Sequence, residues 1–219
     1  MGGAHHHGQS HDDSGYLTDE EAVITRVAAL ETLLVEKGIL STDAIDAVVE
    51  HFENDVGPQL GARVIARAWV DPAFKERLLE DATAACEELG IAGLRGEHLR
   101  AVENLDAVQN VIVCTLCSCY PWPVLGLPPA WYKSPAYRAR VAMEPRKVLA
   151  EDFDFTVPDH VEVKVWDSNS ELRYFVVPVR PAGTEGWTEE QLASLVTREA
   201  MIGVAPVRDP ADTAAESVG

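Results

Sequence analysis

The stretch that organises this chain is Val113-Cys114-Thr115-Leu116-Cys117-Ser118-Cys119-Tyr120. Three of the four cysteines lie inside it. The apolar run Gln109–Val113 reads as a strand that feeds straight into the cluster, and a Pro-rich segment, Tyr120–Pro129, leads out of it. Cysteines spaced three and two apart converge only if the backbone curls into a tight loop. Such a loop also turns successive backbone N–H groups inward, toward an anion or a metal.

Upstream, helical signals dominate. Thr18 with Glu21 forms a capping box, Val23, Val27, Leu30 and Leu34 recur at helical spacing, and Gly38 is a stop signal. Ser41 or Thr42 caps a second helix that ends near Asn54, and a third is expected over Pro58–Val70. Asp71-Pro72 opens a fourth, expected to continue to Gly90. Downstream the period changes. Strands are expected at Glu97–Glu103, Gln109–Val113, Val161–Asp167 and Leu172–Val179, with the last two joined as a hairpin through Ser168-Asn169-Ser170. Helices are expected at Tyr132–Val141 and Pro145–Phe153, and from a Thr188/Gln191 capping box to about Arg198. Helices first and mixed elements second make an α+β class. The expected division is a His-rich disordered tail (1–15), a helical arm (16–90) whose thinly apolar helices are expected to pack on a partner chain, a domain around the cysteine cluster that is expected to bind metal (91–205) and a flexible tail (206–219).

The chain has 219 residues, 47% of them hydrophobic, so a packed core is available. Its formal charge of −18 argues against nucleic acid, which needs clustered Lys and Arg, and against anionic membrane surfaces. No apolar run spans a bilayer and the polar N-terminus has no signal-peptide core, so a cytoplasmic, reducing location is expected. There the cysteines act as ligands or catalysts rather than as disulfides.

Structural zinc wants four Cys or His ligands, and Cys86, His51, His98 and His160 do not pair with the cluster at a finger-like spacing. A thioredoxin-like pair fits the preceding strand but not the third cysteine, nor Pro121 and Pro123. The remaining geometry is a metal held by three sulfurs and by main-chain nitrogens. Thiolates select transition metals, and ionised amides favour a trivalent ion such as cobalt or iron. One coordination position is then left for water or substrate.

The run Val113–Tyr120, continued by Pro121-Trp122-Pro123-Val124-Leu125-Gly126-Leu127-Pro128-Pro129 and Trp131-Tyr132-Lys133-Ser134, resembles the α subunit of nitrile hydratase. So do Tyr137-Arg138-Ala139-Arg140-Val141, Glu144-Pro145-Arg146, the segment from Arg180 to Trp187, and Ile202-Gly203-Val204. The similarity runs from about Thr18 to Pro206, and the thiocyanate hydrolase metal-bearing subunit shares the cysteine motif. The resemblance implies a mixed-sheet, layered α/β/β/α domain. It implies sulfur ligands from Cys114, Cys117 and Cys119 and ionised amide ligands from Ser118 and Cys119. Cys117 would be a sulfinate and Cys119 a sulfenate. Thr115, with Tyr120, points to low-spin trivalent cobalt rather than iron. The implied reaction is hydration of a nitrile to an amide, with the Cys119 sulfenate oxygen or a polarised water attacking. The resemblance also implies that Cys117, Ser118 and Cys119 are the catalytic residues and that Trp122 lines the substrate pocket.

In the family, a separate β subunit supplies the arginines that hydrogen-bond the oxidised sulfurs, in an αβ or (αβ)2 assembly. The resemblance therefore implies that this chain alone is inactive. The chain's own Arg138, Arg140 and Arg146 follow the motif, but helical spacing does not show whether they fold back to it. Asp167 and Glu171 are expected at a solvated hairpin tip. Arg95 departs from the Gln of some relatives. The rivals are the thiocyanate-hydrolysing subunit and a non-catalytic metal carrier or redox module. Trp122, where a basic residue would suit an anion, favours an uncharged organic substrate.

Overall fold

The structure is a computed structural model that describes residues 20–50, 56–91, 98–117 and 119–211. The His-rich tail, the Thr18 cap, the end of the second helix near Asn54, Arg95, Ser118 and the last eight residues lie outside them. The chain forms two units, divided after Glu50. The first carries α1 (Glu20–Glu36) and α2 (Thr42–Glu50). Ser41 caps α2, its hydroxyl accepting the Ala44 N–H at 3.2 Å. Both helices are thinly buried: Ile24, Val27, Leu30, Leu33, Val48 and Val49 all stay exposed.

The second unit begins with α3 (Pro58–Val70), α4 (Pro72–Glu80) and α5 (Ala82–Glu88). The sequence reading placed these helices in the arm; they belong instead to the main core. Val64, Ile65, Phe74, Leu78 and Cys86 are all buried there. The apolar positions of α3 are closely spaced and small enough to bring its backbone against a neighbour. A Cβ at Gly61 would sit 2.3 Å from the Val124 carbonyl oxygen. The single helix expected from Asp71 to Gly90 is two helices. Asp81 ends α4 with its N–H on the Arg77 carbonyl and starts α5 with its carboxylate on the Ala84 N–H. Asp71 does the same between α3 and α4, accepting from Phe74 at 3.0 Å. A short acidic side chain can cap a new helix while its extended backbone breaks the old one.

Next come β1 (His98–Glu103) and β2 (Val108–Val113), then α6 (Trp122–Leu125), α7 (Ala130–Lys133), α8 (Pro135–Met143) and α9 (Pro145–Phe153). After these come β3 (Glu162–Asp167), β4 (Leu172–Val177), α10 (Glu189–Leu195) and α11 (Arg198–Ile202). The Thr188/Gln191 capping box is present at α10. The expected mixture of helix and sheet is therefore observed. The expected β3–β4 hairpin is not. β3 lies parallel to β2, and β4 lies parallel to β1. The 168–171 link is a crossover between sheets, because β2 and β4 both carry continuous buried apolar runs and each needs cover on more than one side.

Asn110 ties the two strand pairs together. Its Nδ2 donates to the Glu103 carbonyl, its Oδ1 accepts from Trp166 Nε1, and its N–H reaches Asn104 Oδ1. Every polar atom of this buried side chain is thereby used, as a buried amide requires. Gly203 (φ +90°) closes against the same residue: a Cβ there would lie 1.9 Å from the Asn110 carbonyl oxygen.

Candidate metal centre

β2 delivers the cysteine loop. Val111, Ile112 and Val113 are fully buried, and Cys114, the next residue, is 1% exposed. The parallel register sets Val113 opposite Asp167, and the Ser168 N–H donates to the Val113 carbonyl at 2.7 Å. Asp167 thus stands beside the first turn of the loop. It accepts the Thr115 N–H at 2.9 Å and the Thr115 hydroxyl at 2.6 Å. The expectation of a solvated hairpin tip is corrected: Asp167 ends a parallel strand and holds the loop.

The loop brings the three sulfurs together. Cys114 Sγ lies 3.2 Å from Cys117 Sγ, which lies 2.9 Å from Cys119 Sγ. The Cys117 N–H points at Cys114 Sγ at 3.3 Å. All three sulfurs fall within 4.8 Å of one another, and no fourth Cys, His, Asp or Glu joins them among the described residues. None is in a disulfide. Cys114 is buried, Cys119 is intermediate and Cys117 faces outward. Burial chiefly, then the Cys117 hydrogen bond and the charge of Cys114, push the Cys119 thiol up to about 12. The Arg173 charge works against that rise.

Three sulfurs this close are soft donors that fit a transition metal and not calcium or magnesium. Without a fourth side-chain donor among the described residues the set does not match structural zinc. Cys86 takes no part: it lies in the core, and burial pushes its thiol up to about 12.

Helices α7 and α8 brace the loop from behind. The Tyr132 hydroxyl donates to the Cys119 carbonyl at 3.2 Å, and Arg138 Nη1 donates to the Cys117 carbonyl. Tyr137 anchors α8 to β2, its hydroxyl on the Ile112 carbonyl at 2.8 Å. Edge-on contacts among Trp131, Tyr137 and Phe153 stiffen this wall. Tyr120 is fully buried and meets Tyr132 edge-on at 4.9 Å.

Trp122 opens the single turn of α6 directly after the loop and is half-buried against the core. Of the three arginines that follow the motif, Arg138 reaches the loop. Arg140 pairs with Glu144, Glu151 and Asp152. Arg146 donates to the carbonyls of Val157, Pro158 and Val161. Sequence reasoning missed the roles of Asp167 and Tyr132, which reach the loop across a fold-dependent separation, and of Arg173, whose charge acts on Cys119. No local pattern marks them.

The comparisons with known proteins agree with this geometry. The family model described as nitrile hydratase, alpha chain, matches residues 21–205. The chain is 61% identical over 194 residues to the cobalt-containing nitrile hydratase subunit alpha of Pseudonocardia thermophila, covering 87% of this chain and 95% of that protein. It is 43% identical to thiocyanate hydrolase subunit gamma of Thiobacillus thioparus, covering 81% of this chain and 76% of that one. A solved structure of a double mutant of the Fe-type nitrile hydratase from Comamonas testosteroni Ni1 superposes with a TM-score of 0.82 at 39% identity, covering 88% of this chain and 94% of that one. A match over most of the chain, with the three sulfurs gathered on one loop, means that this protein belongs to the nitrile hydratase alpha-chain family.

Proposed function

We propose that this chain is the metal-bearing α subunit of a cobalt nitrile hydratase, a hydro-lyase that converts organic nitriles to amides. The observation that carries the proposal is the convergence of the Cys114, Cys117 and Cys119 sulfurs at the end of β2. Cobalt(III) would be held by these sulfurs with the main-chain nitrogens of Ser118 and Cys119, and would supply Lewis acidity. Cys117 as a sulfinate and Cys119 as a sulfenate are accessible products of thiolate oxidation. A water beside the Cys119 sulfenate adds to the nitrile carbon, or the sulfenate oxygen adds first and a water then displaces the product and restores the sulfenate. In either route the nitrile nitrogen takes up a proton from that water, and the imidic acid so formed tautomerises to the amide without net redox change. The Trp122 ring receives the organic group, and the Ser118 hydroxyl bonds toward the partner subunit.

A β subunit completes the site in an αβ or (αβ)2 assembly and supplies arginines to the oxidised sulfurs. The exposed apolar side chains of α1 and α2 give that partner a surface to cover. Within the described residues no helix is long and apolar enough to cross a membrane.

The test is co-expression with a nitrile hydratase β subunit in cobalt medium, followed by side-by-side assay on acrylonitrile and thiocyanate. The expected result is amide formation, one cobalt per α chain and an intact mass matching one sulfinate and one sulfenate. Cleavage of thiocyanate alone would favour the thiocyanate-hydrolysing reading. Robust nitrile hydration by the isolated chain would overturn the need for a partner. Deleting residues 1–15 separates the enzyme, which keeps its cobalt, from a carrier, which loses it.

A further inference from the structure

We infer that Arg138 is a positioning residue of the cysteine loop, a guanidinium that fixes the Cys117 carbonyl from α8 and so helps to set the place of the sulfur-bearing turn. The inference rests on the metal-bearing reading above and concerns which side chain of this subunit makes the loop competent to hold its ion.

Arg138 lies on α8, 21 residues from the carbonyl of Cys117 to which its Nη1 donates. A donor on the Cys117 carbonyl fixes the direction of that carbonyl within the residue whose sulfur is one of the proposed ligands. Tyr132 holds the Cys119 carbonyl in the same manner, so the loop is gripped by its oxygens at two points. The grip is stiff because α8 is itself pinned. Ser134 caps it at the Tyr137 N–H (3.1 Å), and Tyr137 bonds back to β2.

The three motif arginines are not equivalent. Arg140 is matched to carboxylates and Arg146 to carbonyls, whereas the Nε of Arg138 is buried and takes no hydrogen bond among the described residues. An unpaired buried donor costs stability, so its retention calls for a compensating gain. The grip of the same guanidinium on the Cys117 carbonyl, within the loop that gathers the three sulfurs, supplies one. Arginine suits the task better than lysine, because its planar fork keeps the donor direction fixed.

The experiment uses the assembled cobalt-loaded complex with Arg138→Gln and Arg138→Lys. It measures cobalt per α chain, the rate of cobalt loss to a chelator, the sulfur-to-cobalt charge-transfer absorption and the melting temperature of the metal-free complex. Arg138→Gln is expected to lose cobalt about tenfold faster, as loss of one charge-assisted hydrogen bond predicts. Arg138→Lys, which keeps the charge and loses the fork, is expected to fall between, with a shifted absorption band. The metal-free melting temperature should stay put in both. Wild-type loss rates and spectra in both variants would overturn the inference. So would a metal-free complex that melts early in step with its cobalt loss, since Arg138 would then serve the fold alone. If Arg138→Gln does not assemble, the lysine variant carries the same test. A wild-type complex that takes up no cobalt sinks the metal-bearing reading itself. A loaded wild type with indifferent variants sinks only the role of Arg138.

Discussion

Asp167, the last residue of β3, accepts two hydrogen bonds from Thr115, one from its amide at 2.9 Å and one from its hydroxyl at 2.6 Å. The two residues are 52 positions apart, and the parallel β2–β3 register brings them together. A single carboxylate therefore sets where the cysteine loop departs from the sheet. Asp167→Ala leaves both Thr115 donors to solvent and should cost about 1–2 kcal/mol in loop order, since the group is exposed. Cobalt content and kcat should fall by about tenfold. Asp167→Asn keeps an acceptor and should fall less. Elemental analysis and steady-state kinetics read both variants, and wild-type values in Asp167→Ala would remove the carboxylate from the account.

Thr115→Ser retains the amide and the hydroxyl that Asp167 binds, so it should load cobalt and turn over at close to the wild-type rate. Complete loss of activity would show that the threonine methyl, and not the hydrogen bonds, matters at this position.

Cys114→Ala removes the buried sulfur on which the Cys117 N–H closes. Stoichiometric cobalt should be lost outright, and retention of one ion per chain by elemental analysis would contradict the three-sulfur site.

Gly203→Ala forces a methyl into the Asn110 carbonyl and strains a left-handed backbone. The cost should be at least about 2 kcal/mol, from the φ penalty and the clash together. Urea denaturation should show it as a lowered midpoint with an unchanged slope. An unaltered midpoint would mean that the β2–α11 contact yields freely.

The acid limb of stability has identifiable sources. The Phe74 N–H, ahead of the nearby arginine charges, holds the Asp71 carboxyl below its usual 3.8. Hydrogen bonds from Arg77 and Arg140 hold Glu88 and Glu144 below their usual 4.5. A carboxyl whose folded pKa is depressed contributes its stability in full above the unfolded value and loses it as pH falls through the folded one. The melting temperature should thus be level with respect to these groups above pH 4.5 and decline below it. Asp71→Asn, which keeps the cap and cannot ionise, should shallow that decline. An acid limb identical to wild type would exclude Asp71 as a contributor.

Much of the local structure is legible along the chain because its causes are local. Pro58, Pro72 and Pro145 each begin the helix they start in sequence, and Thr188 with Gln191 forms its capping box as spaced, whereas the helix expected over Tyr132–Val141 is two, α7 ending at Lys133 and α8 restarting at Pro135. The break at Asp81 was not legible, since a helix of continuous propensity hides an acidic residue that caps the next one. The β3–β4 hairpin was misread for a related reason. Ser168-Asn169-Ser170 has the chemistry of a tight turn, but the buried runs of β2 and β4 take β3 and β1 as parallel partners instead.

By itself the sequence determined the donor chemistry: three thiols at spacings of three and two, in a chain with too few clustered cations for nucleic acid. Donor types and spacings are covalent facts and need no fold to be read. Only the tertiary structure decided which groups hold those thiols in place. Asp167, Tyr132 and Arg138 arrive from β3, α7 and α8 through parallel pairing and helix packing. Such partners are chosen by burial and register across the whole core, and no local periodicity encodes that choice.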